Sequence, residues 1–173
     1  FIMIGNNRKP RFLAAFRLLV LSASVFGLAG GAQAEDLKIG MVLSMSGPFA
    51  DYGKQIKNGV DLYMSEHGDE VAGRKVQILV RDDTGMAPDV AKREAQQLLI
   101  KDKVDILAGF DLTPNAFSVA PIATKAKVPM VVMNAATSSI TEKSPNIVRV
   151  SMTLPQSSWA MAKWALDNDV KTV

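Results

Sequence analysis

The chain has 173 residues and a net charge of +3, but its basic excess is local: Arg8, Lys9, Arg11 and Arg17 fall in a first stretch of 34 residues without an acid, and the other 139 residues carry 16 basic and 17 acidic groups. A net charge of −1 over that part, with aromatic residues scattered rather than clustered, removes the case for nucleic acid or an anionic membrane surface. The 48% apolar and 21% charged content describes a globular chain with one ordinary core, while the absence of Cys and the single His67 exclude a disulfide scaffold, a thiolate or multi-His metal site and a Cys nucleophile.

In chain order, the first feature is an address. Arg8-Lys9-Pro10-Arg11 is a positive region, and an uncharged stretch of 12 residues, Leu18 to Ala29, follows it. Gly30-Gly31-Ala32-Gln33-Ala34 then supplies the small-residue pattern accepted by a signal peptidase, before Glu35-Asp36 turns polar. The pattern predicts a secretory signal peptide over 1–34, cleaved after Ala34. A bilayer crossing needs about 20 apolar residues, more than this stretch offers. Lipoprotein anchoring requires a Cys at the cleavage site, so the mature protein is expected free in the periplasm. The chain opens on Phe1, and Met3 is a candidate start.

The rest alternates strand and helix. Leu37–Ser44 reads as a first strand and Ser46-Gly47-Pro48 as a turn. Lys54–His67 places Ile56, Val60, Tyr63 and Met64 on one helical face. Gly68 and Gly73 bracket a turn, and Val76–Val80 is a second strand. A helix from Pro88 carries Ala91, Ala95, Leu98 and Leu99, and Val104–Ala108 is a third strand. Pro114–Lys127 is a helix with a kink expected at Pro121. Val128–Met133, apolar on both faces, suits a central parallel strand. Ile147–Val150 is a fifth strand, and Pro155–Asn168 a last helix with Trp159 and Trp164. This order predicts an α/β, doubly wound parallel sheet with right-handed crossovers. Lys171-Thr172-Val173 reads as the opening of another strand, which marks the chain as an N-terminal fragment of a longer protein.

Ligands of such sheets bind beyond the carboxyl ends of the strands, where helix starts offer free N–H groups and partial positive charge. The loops there are 45–52, 82–87, 109–113, 134–139 and 151–154. The first, Gly47 to Lys54, imitates a phosphate loop, but five residues separate its glycines, Gln55 follows the Lys, and Pro48 removes an N–H. Tyr52 in this loop is placed to lean over a ligand. In Gly109-Phe110-Asp111-Leu112-Thr113-Pro114, Thr113 stands at an N-cap position and Pro114 at the first helical one. The Thr113 hydroxyl either caps the helix or, with the N–H groups after it, grips a carboxylate. Asn134-Ala135-Ala136-Thr137-Ser138-Ser139 sets small residues beside three hydroxyls, with Ser139-x-x-Glu142 in a capping-box pattern. That loop describes a hydroxyl-rich, charge-free anion site that can orient a small acid without chemistry. Asp82-Asp83 reads as a pair of turn formers rather than a metal or acid–base pair, and His67 as an exposed helix end. No catalytic motif, metal site or cofactor loop is present in the sequence.

Several segments in order resemble the branched-chain amino acid (Leu/Ile/Val) family of type I periplasmic binding proteins. They are Ile39-Gly40, Leu43-Ser44-Met45-Ser46-Gly47-Pro48, Tyr52-Gly53, Gly73-Arg74-Lys75-Val76, Arg81-Asp82-Asp83, Lys103-Val104-Asp105, Ala120-Pro121, Val128-Pro129 and Ala135-Ala136-Thr137-Ser138. The resemblance runs from Leu37 to Val173. It implies a two-lobed binding protein that feeds the membrane permease of an ABC importer, with no enzymatic activity, no cofactor and no metal, and a monomeric state. It implies an N-terminal lobe over 35–152 and a second lobe that only begins at 153–173. Carried over residue by residue, it places the ligand carboxylate on Thr113, Ala136 and Thr137, with Tyr52 beside them. The chain departs from the family pattern at Phe110-Asp111, where a small residue or proline usually follows the Gly, and at Thr113, usually Ser. The family also includes binders of amides and aromatic acids. The alternatives are a ligand-sensing receptor domain of the same fold and a Rossmann-like soluble enzyme.

Overall fold

The computed structural model describes residues 35–172, so the expected export signal and its cleavage point lie outside the described residues. Six strands form one sheet: β1 (Leu37–Leu43), β2 (Glu70–Val71), β3 (Arg74–Asp82), β4 (Ile106–Gly109), β5 (Met130–Val132) and β6 (Ile147–Arg149). Their spatial order is β2-β3-β1-β4-β5-β6. β1 pairs in parallel with both β3 (Ile39 opposite Ile78) and β4 (Ile39 opposite Ile106), and the run of parallel pairs continues through β5 to β6. Only β2 is antiparallel. It joins β3 through Ala72-Gly73, both at positive φ (51° and 75°), the hairpin geometry whose twist matches the strands. Two exposed residues carry no periodicity, so the sequence showed only a turn there.

The helices are α1 (Ala50–His67), α2 (Pro88–Gln97), α3 (Thr113–Ala126) and α4 (Leu154–Asp167). A π-type turn, Leu98–Asp102, extends α2, and a 3-10 turn, Ser138–Lys143, joins β5 to β6. The period-two alternation of the strands sends Val42, Leu107, Met130 and Val132 to one face of the sheet, where Ala91, Ala95, Ala116, Ala120 and Ala123 of α2 and α3 close over them. Met41, Leu43 and Ala108 point to the other face, beneath Ile56 and Val60 of α1. The doubly wound α/β class is therefore as expected. The chain runs from β1 to β3 on one side and then crosses back over β1 to β4, so the winding reverses between β1 and β4. That reversal opens a crevice at the carboxyl ends of these strands.

Three local expectations change. α1 begins at Ala50, four residues before the expected Lys54, because Gly47 at φ +73° turns the chain and Gly53 lets the first helical turn press on β1. A Cβ on Gly53 would come 2.2 Å from the Ser44 carbonyl oxygen, so only Gly fits there. α3 begins at Thr113 itself, with Leu112 as its N-cap, and runs without interruption through Pro121, which faces solvent. Ser139 and Glu142 form no capping box: Thr137 precedes the 3-10 turn and no side chain caps it. The capping box lies at α4, where the Gln156 N–H donates to Thr153 Oγ1 (3.3 Å) and the Thr153 N–H to Gln156 Oε1 (2.7 Å). None of the α4 residues is buried.

Candidate functional site

The site is built where β4 and β5 end. Gly109 closes β4 at φ +100°, and a Cβ there would stand 2.3 Å from the Val42 carbonyl oxygen. Phe110 follows at φ +59°, fully buried. These two residues turn the chain sharply toward β5, and four hydrogen bonds then zip the two loops together. The Met133 N–H donates to the Gly109 carbonyl (2.7 Å) and the Ala135 N–H to the Phe110 carbonyl (3.0 Å). Asn134 Nδ2 donates to the Asp111 carbonyl (3.0 Å). The zipper ends with the hydroxyls of Thr113 and Thr137, 3.0 Å apart.

Thr113 and Thr137 are thus brought together, with Ala136 beside them in the chain, all three half-buried beyond the ends of β4 and β5. The Thr113 hydroxyl does not cap α3. Thr113 is the first helical residue, and its hydroxyl pairs with that of Thr137 and with no backbone N–H of its own turn. The first backbone bond of α3 is from the Ala116 N–H to the Leu112 carbonyl, which leaves the helix start with free donors. Two hydroxyls and a helix N-terminus at one point can hold a carboxylate. Tyr52 is not joined to the threonines by any hydrogen bond. It sits in the first turn of α1, not in a loop, 48% exposed and stacked on Phe49 (ring centroids 6.2 Å).

Beneath the loops lies a buried polar network that sequence reading saw only as a turn. Asp82 accepts from the N–H groups of Met45 (2.9 Å), Ser46 (3.3 Å) and Thr84 (2.8 Å). Burial works to raise its pKa, but the hydrogen bonds from Ser46, Thr84 and Met45 overcome this and hold the carboxyl below its ordinary value. Asp83 is wholly buried and accepts from the Ser44 hydroxyl (2.9 Å), the Gly85 N–H (3.0 Å) and Asn115 Nδ2 (2.7 Å). Burial pushes its pKa up, aided by the charge of Asp111, against the donors that stabilise the anion. The adjacent carboxylates therefore brace the ends of β1, β3 and α3, the turn-forming role read from their sequence. Among the described residues no group of three or more His, Cys, Asp or Glu is placed to hold a metal. His67 ends α1 exposed, its ring stacked on Tyr63 at 4.1 Å.

One charged group belongs to the site after all. Arg149, the last residue of β6, donates from Nη1 to the Thr137 carbonyl at 2.6 Å. The expectation of a charge-free loop fails here because Arg149 is 12 residues away in sequence and reaches the loop only through the β5–β6 pairing.

A family model described as periplasmic binding protein matches residues 36–173. The chain is similar to Leu/Ile/Val-binding protein homolog 6 of Brucella abortus (strain 2308), with 46% identity over 158 residues, 91% of this chain and 40% of that relative. Among solved structures, it is similar to the solute-binding protein of an ABC transporter from Rhodopseudomonas palustris HaA2 in complex with p-hydroxybenzoic acid. That match has a TM-score of 0.75 and 51% identity, and it covers 78% of this chain and 36% of the other. A leucine-binding protein from Thermotoga maritima MSB8 matches with a TM-score of 0.72 and 27% identity, over 76% of this chain and 37% of the other. The chain spans 40% of the length of the curated relative it matches at 46% identity.

Proposed function

The chain belongs to the type I periplasmic binding protein family, and from that premise we propose that it forms the first lobe of an extracytoplasmic solute-binding protein that delivers a small carboxylic acid to the permease of an ABC importer. The pairing of the Thr113 and Thr137 hydroxyls at 3.0 Å, on loops held together by backbone hydrogen bonds, carries this reading. The two hydroxyls and the free N–H groups at the start of α3 hold the carboxylate, Ala136 leaves room for it, and Tyr52 flanks the ligand body. No reacting group stands there, so the lobe holds and orients its ligand and does not transform it.

The lobe spans 35–152, and 153–173 begin a second lobe. The unburied side chains of α4, Trp159 (70% exposed) and Trp164 (58%) among them, support this division, since a helix with two exposed Trp residues has its apolar partner elsewhere. The protein acts as a monomer in the periplasm, exported by residues 1–34. Among ligands, a hydroxybenzoate is the first choice. The structures solved with hydroxybenzoates share about half of their aligned residues with this chain (48% to 51%), against 27% for the leucine-binding protein. Leucine, isoleucine and valine are the second choice.

Thermal melting of the full-length mature protein with 4-hydroxybenzoate, benzoate, leucine and isoleucine tests the proposal. A ligand that binds only the folded state raises Tm by mass action. A shift with one of these acids, lost in T113V and T137V, is the expected result. No shift with any of them removes the function, and an unchanged shift in both variants removes the site.

A further inference from the structure

The structure assigns Arg149 as a positioning residue of the ligand loop: it holds the Thr137 carbonyl so that the backbone N–H groups of the loop face the anion site. The inference rests on the function proposed above. Two successive carbonyls of this loop are held by the segment that leads out of β6. The Leu154 N–H, the first of α4, donates to the Ala136 carbonyl at 2.8 Å. Arg149 Nη1 donates to the Thr137 carbonyl at 2.6 Å.

A trans peptide is planar, with its N–H pointing opposite to its C=O. Fixing the Ala136 carbonyl toward Leu154 therefore turns the Thr137 N–H away from the outgoing segment, and fixing the Thr137 carbonyl toward Arg149 does the same for the Ser138 N–H. Neither N–H has a hydrogen-bond partner among the described residues. The clasp thus aims two idle donors from the same loop that presents the Thr137 hydroxyl to Thr113. The outgoing segment is itself hydrogen-bonded at both ends. The Val150 N–H is bonded to the Val132 carbonyl (3.0 Å), and the Thr153–Gln156 capping box fixes the start of α4. A charged donor suits the task, because a guanidinium bond to a carbonyl is stronger than a neutral one. Arg149 does not touch the ligand in this role. It decides the direction of groups that do, and it ties the loop to the point where α4 begins.

Wild type, R149M and R149K of the full-length protein separate this role from a general structural one. Amide hydrogen exchange of the ligand-free protein is read at Ile140, whose N–H is bonded to the Thr137 carbonyl, and at Leu154, with the β1 amides as reference. Calorimetric titration with 4-hydroxybenzoate and with leucine supplies the binding readout. In R149M, exchange at Ile140 and Leu154 is expected to quicken at least tenfold with β1 unchanged. Affinity is expected to fall at least tenfold, with partial recovery in R149K, which restores one charged donor. If R149M does not fold, R149K is read against wild type at the same two amides. Unchanged exchange there overturns the inference, as does quickened exchange with unchanged affinity. If wild type binds neither probe, the proposed function falls, while the exchange at Ile140 and Leu154 still decides whether Arg149 positions the loop.

Discussion

α3 and α4 have the same length, 14 residues, and both carry Pro within their first two positions, yet they meet opposite fates. α3 buries Asn115, Ala116, Val119, Ala120 and Ala123, whereas α4 buries nothing and exposes the larger apolar side chains, Trp159, Met161, Trp164 and Leu166. Hydrophobic content does not separate them. Fit does, because the Ala face of α3 matches the Ala91 and Ala95 face of α2, and small residues let two helices and the sheet approach closely. α4 holds its start through a capping box and a bond to the Ala136 carbonyl, not through packing. Local capping is enough to begin a helix, and burial is needed to anchor one.

The largest break in this contrast comes from Ala120→Leu. Ala120 is only 3% exposed, and three added carbons in a filled space are expected to cost about 3 kcal/mol, read as a lowered urea midpoint. Asn115→Leu comes next. It leaves Asp83 Oδ2 and the Gly85 carbonyl without their donor, at about 2 kcal/mol, and loosens the α3 start that carries Thr113. Its expected signature is lost ligand affinity along with lost stability.

A smaller effect is pH-dependent. The Asp82 carboxyl is held below its ordinary 3.8, so its contribution is present above pH 3.8 and is lost as pH falls through the lowered value. Asp83 has the opposite sign: its raised pKa favours the fold when it is protonated, and that advantage disappears as pH rises through the raised value. Acid unfolding of D82N against wild type is therefore expected to show a stability gap at neutral pH that closes below pH 3.8. A gap that stays constant with pH would show that the Asp82 hydrogen bonds matter and its charge does not. The smallest effect belongs to α4. Trp164→Ala is expected to change the stability of this chain by no more than about 0.5 kcal/mol, as for an exposed position. In a chain extended to the length of its relatives, the proposed second lobe would raise that cost to about 3 kcal/mol, the scale for a buried Trp.

Much of this protein was legible in its residues. Alternating strand and helix patterns gave the parallel sheet, and the loops at the strand ends, with the family resemblance, pointed to Thr113, Ala136 and Thr137 as candidates. The misreadings share a cause. Thr113 looked like an N-cap because Thr-Pro usually is one, but its hydroxyl pairs with Thr137, 24 residues away. Asp51-Tyr52-Gly53 looked like a loop because it holds weak helix formers, yet Gly53 is there to let α1 touch Ser44. Ser139-x-x-Glu142 had the spacing of a cap without the helix to use it, while Thr153-x-x-Gln156 had both.

The sequence by itself determined the class of the fold, the order of its layers and the small hydroxylated character of the site, because these rest on periodicity and on side chains near one another in the chain. Only the tertiary structure decided which hydroxyl faces which, where Asp82 and Asp83 direct their oxygens, and that Arg149 reaches the Thr137 carbonyl. Those are contacts between separate strand ends, and their partners are chosen by the β1–β4–β5–β6 register rather than by local preference.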